Sequence, residues 1–249
     1  MRAESIPFIV AGSPRTGSSL VLLGLADHPQ VRTFGELFHP WADPRPGAGP
    51  TEQDRFDEAR EEALAFLDRT VWPAATATRP AVGFKLFVSH TRAEGTRDLF
   101  FKLSKAMPHL RVIHCLRANY LDAWVSLKKA ETTGVWAQFP GDPKPPTPCP
   151  ISVPSAELKV FFEEMEVNDA LLRTFHDPRR CHVVDYEELA TGYGPTMKSL
   201  WRFLGLPSAE TSPALLKQNR TSHLEFLENY DELREHFART RFSTFFREA

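Results

Sequence analysis

The chain is poor in cysteine, nearly neutral, and without any apolar run long enough to span a bilayer; each deficit removes a class of function. Its three cysteines, Cys115, Cys149 and Cys181, are widely separated, odd in number and include no C-x-x-C pair. Neither a disulfide framework nor a thiolate metal or redox centre is expected from that pattern, and reduced thiols point to a cytoplasmic setting. A net charge of -2 supplies no basic field for nucleic acid or an acidic membrane. The apolar run at 20–26 is stopped by Asp27, far short of the roughly 20 residues a membrane helix needs. The opening Met1-Arg2-Ala3-Glu4-Ser5-Ile6-Pro7 lacks the charged, apolar and small-residue succession of a secretion signal. None of the nine histidines falls in H-E-x-x-H or a comparable ligand spacing, so no metal site is expected.

What is present reads as one α/β domain spanning 1–249, a length that buries one sizeable core. Apolar runs of strand length recur at 6–11, 82–88, 110–116 and 182–185, with a weaker one at 31–34. Helical patterns separate them, at 51–71, 118–129, 157–175 and 197–204. Strands alternating with helices predict a three-layer, P-loop-like fold whose mostly parallel central sheet is flanked by helices. Two proline-rich stretches, 38–50 and 139–154, cannot continue a helix or a central strand and are expected to be surface loops of the lid or substrate-binding kind.

The most informative segment joins the first apolar run to the first helix: Gly12-Ser13-Pro14-Arg15-Thr16-Gly17-Ser18-Ser19. A strand, a glycine-bounded loop and a helix N-terminus in that order aim backbone N–H groups at one anion. The nucleotide-hydrolase form of such a loop, G-x-x-x-x-G-K-[ST], needs a lysine where this chain has Ser18, and the cation is instead Arg15 within the loop. Arg117 stands at the end of the 110–116 strand, where ligands sit in open α/β sheets. Ser126 lies on the next helix, and the two are placed to meet a second phosphate. Lys85 sits inside the apolar Gly83-Phe84-Lys85-Leu86-Phe87; such an ammonium needs either an anionic partner or a route to water along its stem.

These segments together resemble the sulfotransferases that use 3′-phosphoadenosine 5′-phosphosulfate (PAPS), and in particular the bacterial type that sulfates carbohydrates and other small metabolites. The resemblance identifies residues 13–19 with the 5′-phosphosulfate loop, held by Arg15, Thr16, Gly17, Ser18 and Ser19, and Arg117 with Ser126 as the 3′-phosphate pair. Thr133-Gly134-Val135-Trp136, Val183-Val184-Asp185-Tyr186-Glu187-Glu188-Leu189 and Phe203-Leu204-Gly205-Leu206-Pro207 are also similar to family segments. Lys217-Gln218 and Asn229-Tyr230 resemble the section where a basic loop closes over the nucleotide. Tyr186 and Trp136 stand as candidates near adenine, with ordinary core packing as the alternative.

The resemblance implies PAPS as donor, PAP as product, a small-molecule acceptor, and catalysis by Glu36, Lys85 and Arg15 without a metal. The phenol- and steroid-sulfating branch carries its base in Lys-x-His, and here Phe87 occupies that place. Gly35-Glu36-Leu37-Phe38-His39 is similar to the segment that supplies a carboxylate base in the carbohydrate branch, with His39 and His90 in reserve. Two other readings compete: a P-loop small-molecule kinase, with Asp185 as its magnesium acid but no loop lysine, and a non-catalytic nucleotide-binding module.

Overall fold

The computed structural model describes residues 5–39, 62–92, 94–216 and 223–246. Its five strands are β1 (Ile6–Gly12), β2 (Val31–Thr33), β3 (Ala81–Phe87), β4 (Arg111–Leu116) and β5 (Cys181–Asp185). They form a single sheet in the order β2-β3-β1-β4-β5, and every pairing is parallel. Each apolar run of the sequence became a strand, shifted by no more than a residue or two. The sheet is thus wholly parallel among the described residues, as expected for strands joined through helices.

Alternate residues of β1 explain why the sheet is covered on both faces. Ile9 and Ala11 enter one core cluster with Val82, Phe84, Leu86 and Val112. Phe8 and Val10 enter another with Ile113, Cys115 and Val184. Strands apolar at every position must be covered above and below. The first face is closed by α2 (Ala63–Phe66), which runs into a π-helical turn at Leu67–Val71, and by α3 (Leu99–Ala106). The opposite face takes α1 (Ser18–Ala26), α6 (Tyr186–Thr191) and α7 (Tyr193–Phe203), with Leu25, Leu189 and Trp201 buried.

A third cluster lies beside the sheet. There α4 (Tyr120–Thr133) and α5 (Ser155–Arg173) pack on α8 (His223–Phe226), α9 (Tyr230–Phe237) and a 3₁₀ turn at Ser243–Phe246. The helical pattern at 51–71 is met only in part, because 40–61 lie outside the described residues and the remainder forms a short α-helix and a π-helical turn. Most of the 38–50 stretch is outside them as well. Residues 139–154 carry no helix or strand, as expected, and are pinned to the C-terminal cluster. Ile151 bridges Leu227, and the Asn229 side chain both accepts from the Val153 N–H and donates to its carbonyl, at 3.1 and 2.9 Å.

One glycine shows how tightly the central strands approach. Gly83 of β3 pairs with Phe8 of β1, and a Cβ there would run into the Phe8 carbonyl oxygen and ring. Gly83→Ala should therefore destabilise the protein by about 1–3 kcal/mol through overpacking. A urea midpoint equal to that of the parent would contradict this packing.

Candidate active site

The loop after β1 is built around two left-handed residues. Arg15 has φ 66° and Gly17 has φ 83°. For glycine that conformation is nearly free, whereas for arginine it costs roughly 1–2 kcal/mol, strain of the sort that gathers at functional sites. Gly17 caps α1 without a side-chain hydrogen bond, so the opening amides of that helix face the loop, lacking intrahelical acceptors. A Cβ on Gly17 would come within 2.9 Å of the Tyr186 ring and 3.0 Å of Leu189, which shows how closely the loop is pressed on α6. Thr16 is buried and donates its hydroxyl proton to the Ser13 carbonyl at 2.8 Å. Asn168 of α5 donates to the Ser13 hydroxyl at 3.2 Å, fixing the loop from outside. Ser18 is buried in the first turn of α1.

Arg117 comes directly after β4. Its Nη1 donates to the Arg15 carbonyl at 3.1 Å, and its guanidinium lies 4.3 Å over the Tyr186 ring. Its Nη2 is 3.6 Å from Asp122, which also holds His223 at 2.6 Å. The Arg15 side chain reaches Ser126 through Nε and the Trp136 carbonyl through Nη1, both at 2.9 Å. Arg15, Arg117, Ser126 and Tyr186 thus converge beside the loop. Burial, and after it the charge of Arg117, lowers the pKa of Arg15; an anion between the two guanidiniums would relieve both effects. Lys217 lies outside the described residues.

A third group completes the sheet edge. The backbone of Lys85 donates to the Gly35 carbonyl at 2.8 Å, and Phe34 donates to the Gly83 carbonyl at 3.0 Å. Pairing along β2 and β3 therefore continues past Thr33 and brings Glu36 beside Lys85. The buried ammonium forms an ion pair with the Glu36 carboxylate and donates to Ser19 at 2.8 Å. The anionic partner that the strand lysine needed is thus Glu36. His90 Nε2 lies 3.6 Å from Glu36 and His39 Nε2 lies 4.0 Å from it. The three residues offer ligand atoms within 4.8 Å of one another, so their spacing alone is compatible with a metal ion.

Arg117 follows β4, one of the two strands beside β1, whereas Asp185 closes β5 at the sheet edge, on the far side of β4. The acid required by the kinase reading is therefore one strand removed from the loop. A family model described as the sulfotransferase family matches residues 7–210. The chain belongs to the sulfotransferase family. This sulfotransferase is 28% identical to nodulation protein H of Rhizobium meliloti over 245 residues, covering 96% of this chain and 94% of that one. It is also 28% identical to nodulation protein H of Rhizobium tropici over 242 residues, with coverages of 96% and 92%. Among solved structures it resembles a sulfotransferase from Alicyclobacillus acidocaldarius, with TM-score 0.50, 14% identity and coverages of 98% and 97%. The sulfotransferase domain from the curacin biosynthetic pathway gives TM-score 0.50, 15% identity and coverages of 89% and 80%. At such identities the likeness is one of fold.

The donor of this family is PAPS. The sulfotransferase has groups that fit it: Arg117 Nε is buried with no hydrogen-bond partner among the described residues, and the α1 amides face the loop. Sequence reasoning missed Asp122, His223 and Asn168 as neighbours of these groups. A polar residue inside the amphipathic pattern of α5 was the signal for Asn168; nothing local marked the other two. Among the described residues no helix is long and apolar enough to cross a membrane.

His90 ties the site to pH. It is 3% exposed, and burial above all pushes its pKa from 6.5 down to about 4. Between those values the unfolded chain binds a proton that the folded chain refuses, so the ring's contribution to stability is complete above pH 6.5 and is lost as the pH falls toward 4. The loss is on the order of 3 kcal/mol, and His176 and His182, also lowered by burial, act in the same direction. Urea midpoints should fall across this range, and less steeply in His90→Phe; identical slopes would contradict the assignment.

Proposed function

We propose that this sulfotransferase moves the sulfuryl group of PAPS onto a hydroxyl or amine of a small carbohydrate, lipid or secondary-metabolite acceptor by in-line displacement. The observation that carries the reading is the Lys85–Glu36 pair anchored on Ser19 at the opening of α1, where a base and a cation adjoin the anion-binding loop. Glu36 takes the acceptor proton as the new sulfur–oxygen bond forms. Lys85, the α1 amides and the loop hydroxyls of Ser18 and Ser19 stabilise charge growing on the sulfuryl oxygens and on the leaving oxygen of PAP. Arg15, set between loop and helix, binds the 5′-phosphosulfate and supports the same charge.

Arg117 and Ser126 hold the 3′-phosphate in this proposal, Lys217 belongs to the basic segment assigned to the nucleotide, and Tyr186 with Trp136 flanks the adenosine. Three cations fill the part that a divalent ion takes in phosphoryl transfer, so no metal is assigned. The stretch 139–154 and the described end of the other, Phe38 and His39, line the acceptor cleft of a single domain. This is supported by His39 next to Glu36, and by exposed Trp136 and Phe139 beyond Arg15. Widely separated free thiols support a cytoplasmic setting.

Glu36→Gln should lower transfer at least about 100-fold, the scale of a general base, while the thermal shift given by PAP persists; unchanged turnover would remove Glu36 from the chemistry. Arg117→Ala should weaken PAP far more than adenosine 5′-phosphate, because a bound ligand raises stability in proportion to its affinity. Equal losses for the two nucleotides would defeat the 3′-phosphate role.

A further inference from the structure

The Glu36 carboxylate is faced from two sides. Its Oε1 faces the Lys85 ammonium, and its Oε2 faces His90 Nε2 at 3.6 Å. Among the described residues the titratable groups facing it are Lys85 from β3, His90 from the turn after that strand, and His39 from its own segment. His90 belongs to a 3₁₀ turn at Val88–Thr91 that is internally braced. The Thr91 hydroxyl donates to the Val88 carbonyl at 2.8 Å, and the Thr96 hydroxyl donates to the His90 carbonyl at 2.7 Å. Its ring packs between those of Phe87 and His39, with centroids 5.0 and 5.2 Å away. Such a ring has little room to turn.

The proton on that ring can be assigned from its neighbours. The Phe87 N–H points at His90 Nδ1 at 3.4 Å, so Nδ1 is the acceptor and the neutral ring carries its hydrogen on Nε2, toward Glu36. Two other uses of His90 then fail. As a base it would need a free lone pair on Nε2, which holds the proton instead. As a metal ligand through Nε2 it would have to move that proton to Nδ1, against the Phe87 N–H, leaving a buried amide unpaired. What remains is a neutral, rigid N–H donor aimed at a carboxylate. A separation of 3.6 Å is a loose contact, of the kind that tightens when substrate arrives.

We propose that His90 is a positioning residue: its Nε2–H orients Oε2 of Glu36 while Lys85 holds Oε1, fixing the carboxylate for proton abstraction from the acceptor. The proposal rests on Glu36 being the base. Loss of the donor has two consequences. The carboxylate rotates away from the acceptor, and its anion loses the donor that faces Oε2.

The test compares kcat and kcat/KM against pH for the parent, His90→Phe, His90→Gln and Glu36→Gln. His90→Phe should lower kcat roughly 10- to 100-fold, part of what a general base supplies, and move the acid limb of kcat/KM to higher pH, with the PAP thermal shift unchanged. His90→Gln, which keeps a side-chain N–H, should recover part of the rate and part of the limb. If Glu36→Gln is inactive but His90→Phe matches the parent in rate and acid limb, the positioning role is overturned while the base assignment stands. If Glu36→Gln retains turnover, the base assignment fails and the role of His90 falls with it. Imidazole ¹⁵N shifts of the unaltered protein provide a check that requires no variant to fold. The Nε2–H tautomer is expected for His90, and an Nδ1–H tautomer, or zinc inhibition abolished by His90→Phe, would overturn the proposal.

Discussion

A buried ammonium in the middle of an apolar strand must find an anion, and much of this site depends on how Lys85 finds one. Strand order places β3 between β2 and β1. Glu36, leaving β2, therefore arrives on one side of Lys85, and Ser19, opening α1 after β1, arrives on the other. Neither neighbour is close to Lys85 in sequence. The ion pair welds the edge of the sheet to the anion loop, and it does so at the C-terminal ends of the strands, where open parallel sheets collect their ligands.

Charges of both signs line this edge. Arg15, Lys85 and Arg117 are brought together with Glu36 and Asp122 close by, and Arg15 is held in a backbone conformation that costs energy. Desolvated cations this close are tolerated when they share acceptors, and here carbonyl oxygens of Arg15 and Trp136 and the hydroxyl of Ser126 serve. A doubly phosphorylated ligand supplies better ones. Donors set in place before a ligand arrives lower the reorganisation that binding an anion requires.

The three central strands were legible because they are mostly apolar on both faces, the edge strands from shorter apolar runs, and the loop after β1 because glycine spacing and a helix start coincide in it. Arg117 was legible from its place at the end of a strand. The partner of Lys85 was not, since the β2–β3 pairing is a decision of topology that no local pattern encodes. The engagement of Arg15 with Ser126 was equally hidden, because it depends on a left-handed arginine where sequence rules look for glycine. His90 was marked only as a reserve base; its surroundings, the backbone amide of Phe87 and a carboxylate from another segment, were not legible. The C-terminal helices were seen only through resemblance, since their short apolar stripes have meaning only against α4 and α5.

Those helices have a reach beyond their own packing. Asn119 caps α4 by accepting from the amides of Leu121 and Asp122, and its side-chain nitrogen donates to the carbonyl of Phe245 at 3.1 Å, across 126 residues of sequence. Tyr230 secures the same terminal turn by donating to the Phe246 carbonyl at 2.9 Å. The start of α4, three residues after Arg117, is thus anchored from the far end of the chain. Damage to that distant turn would loosen the proposed nucleotide site without removing any group assigned to it.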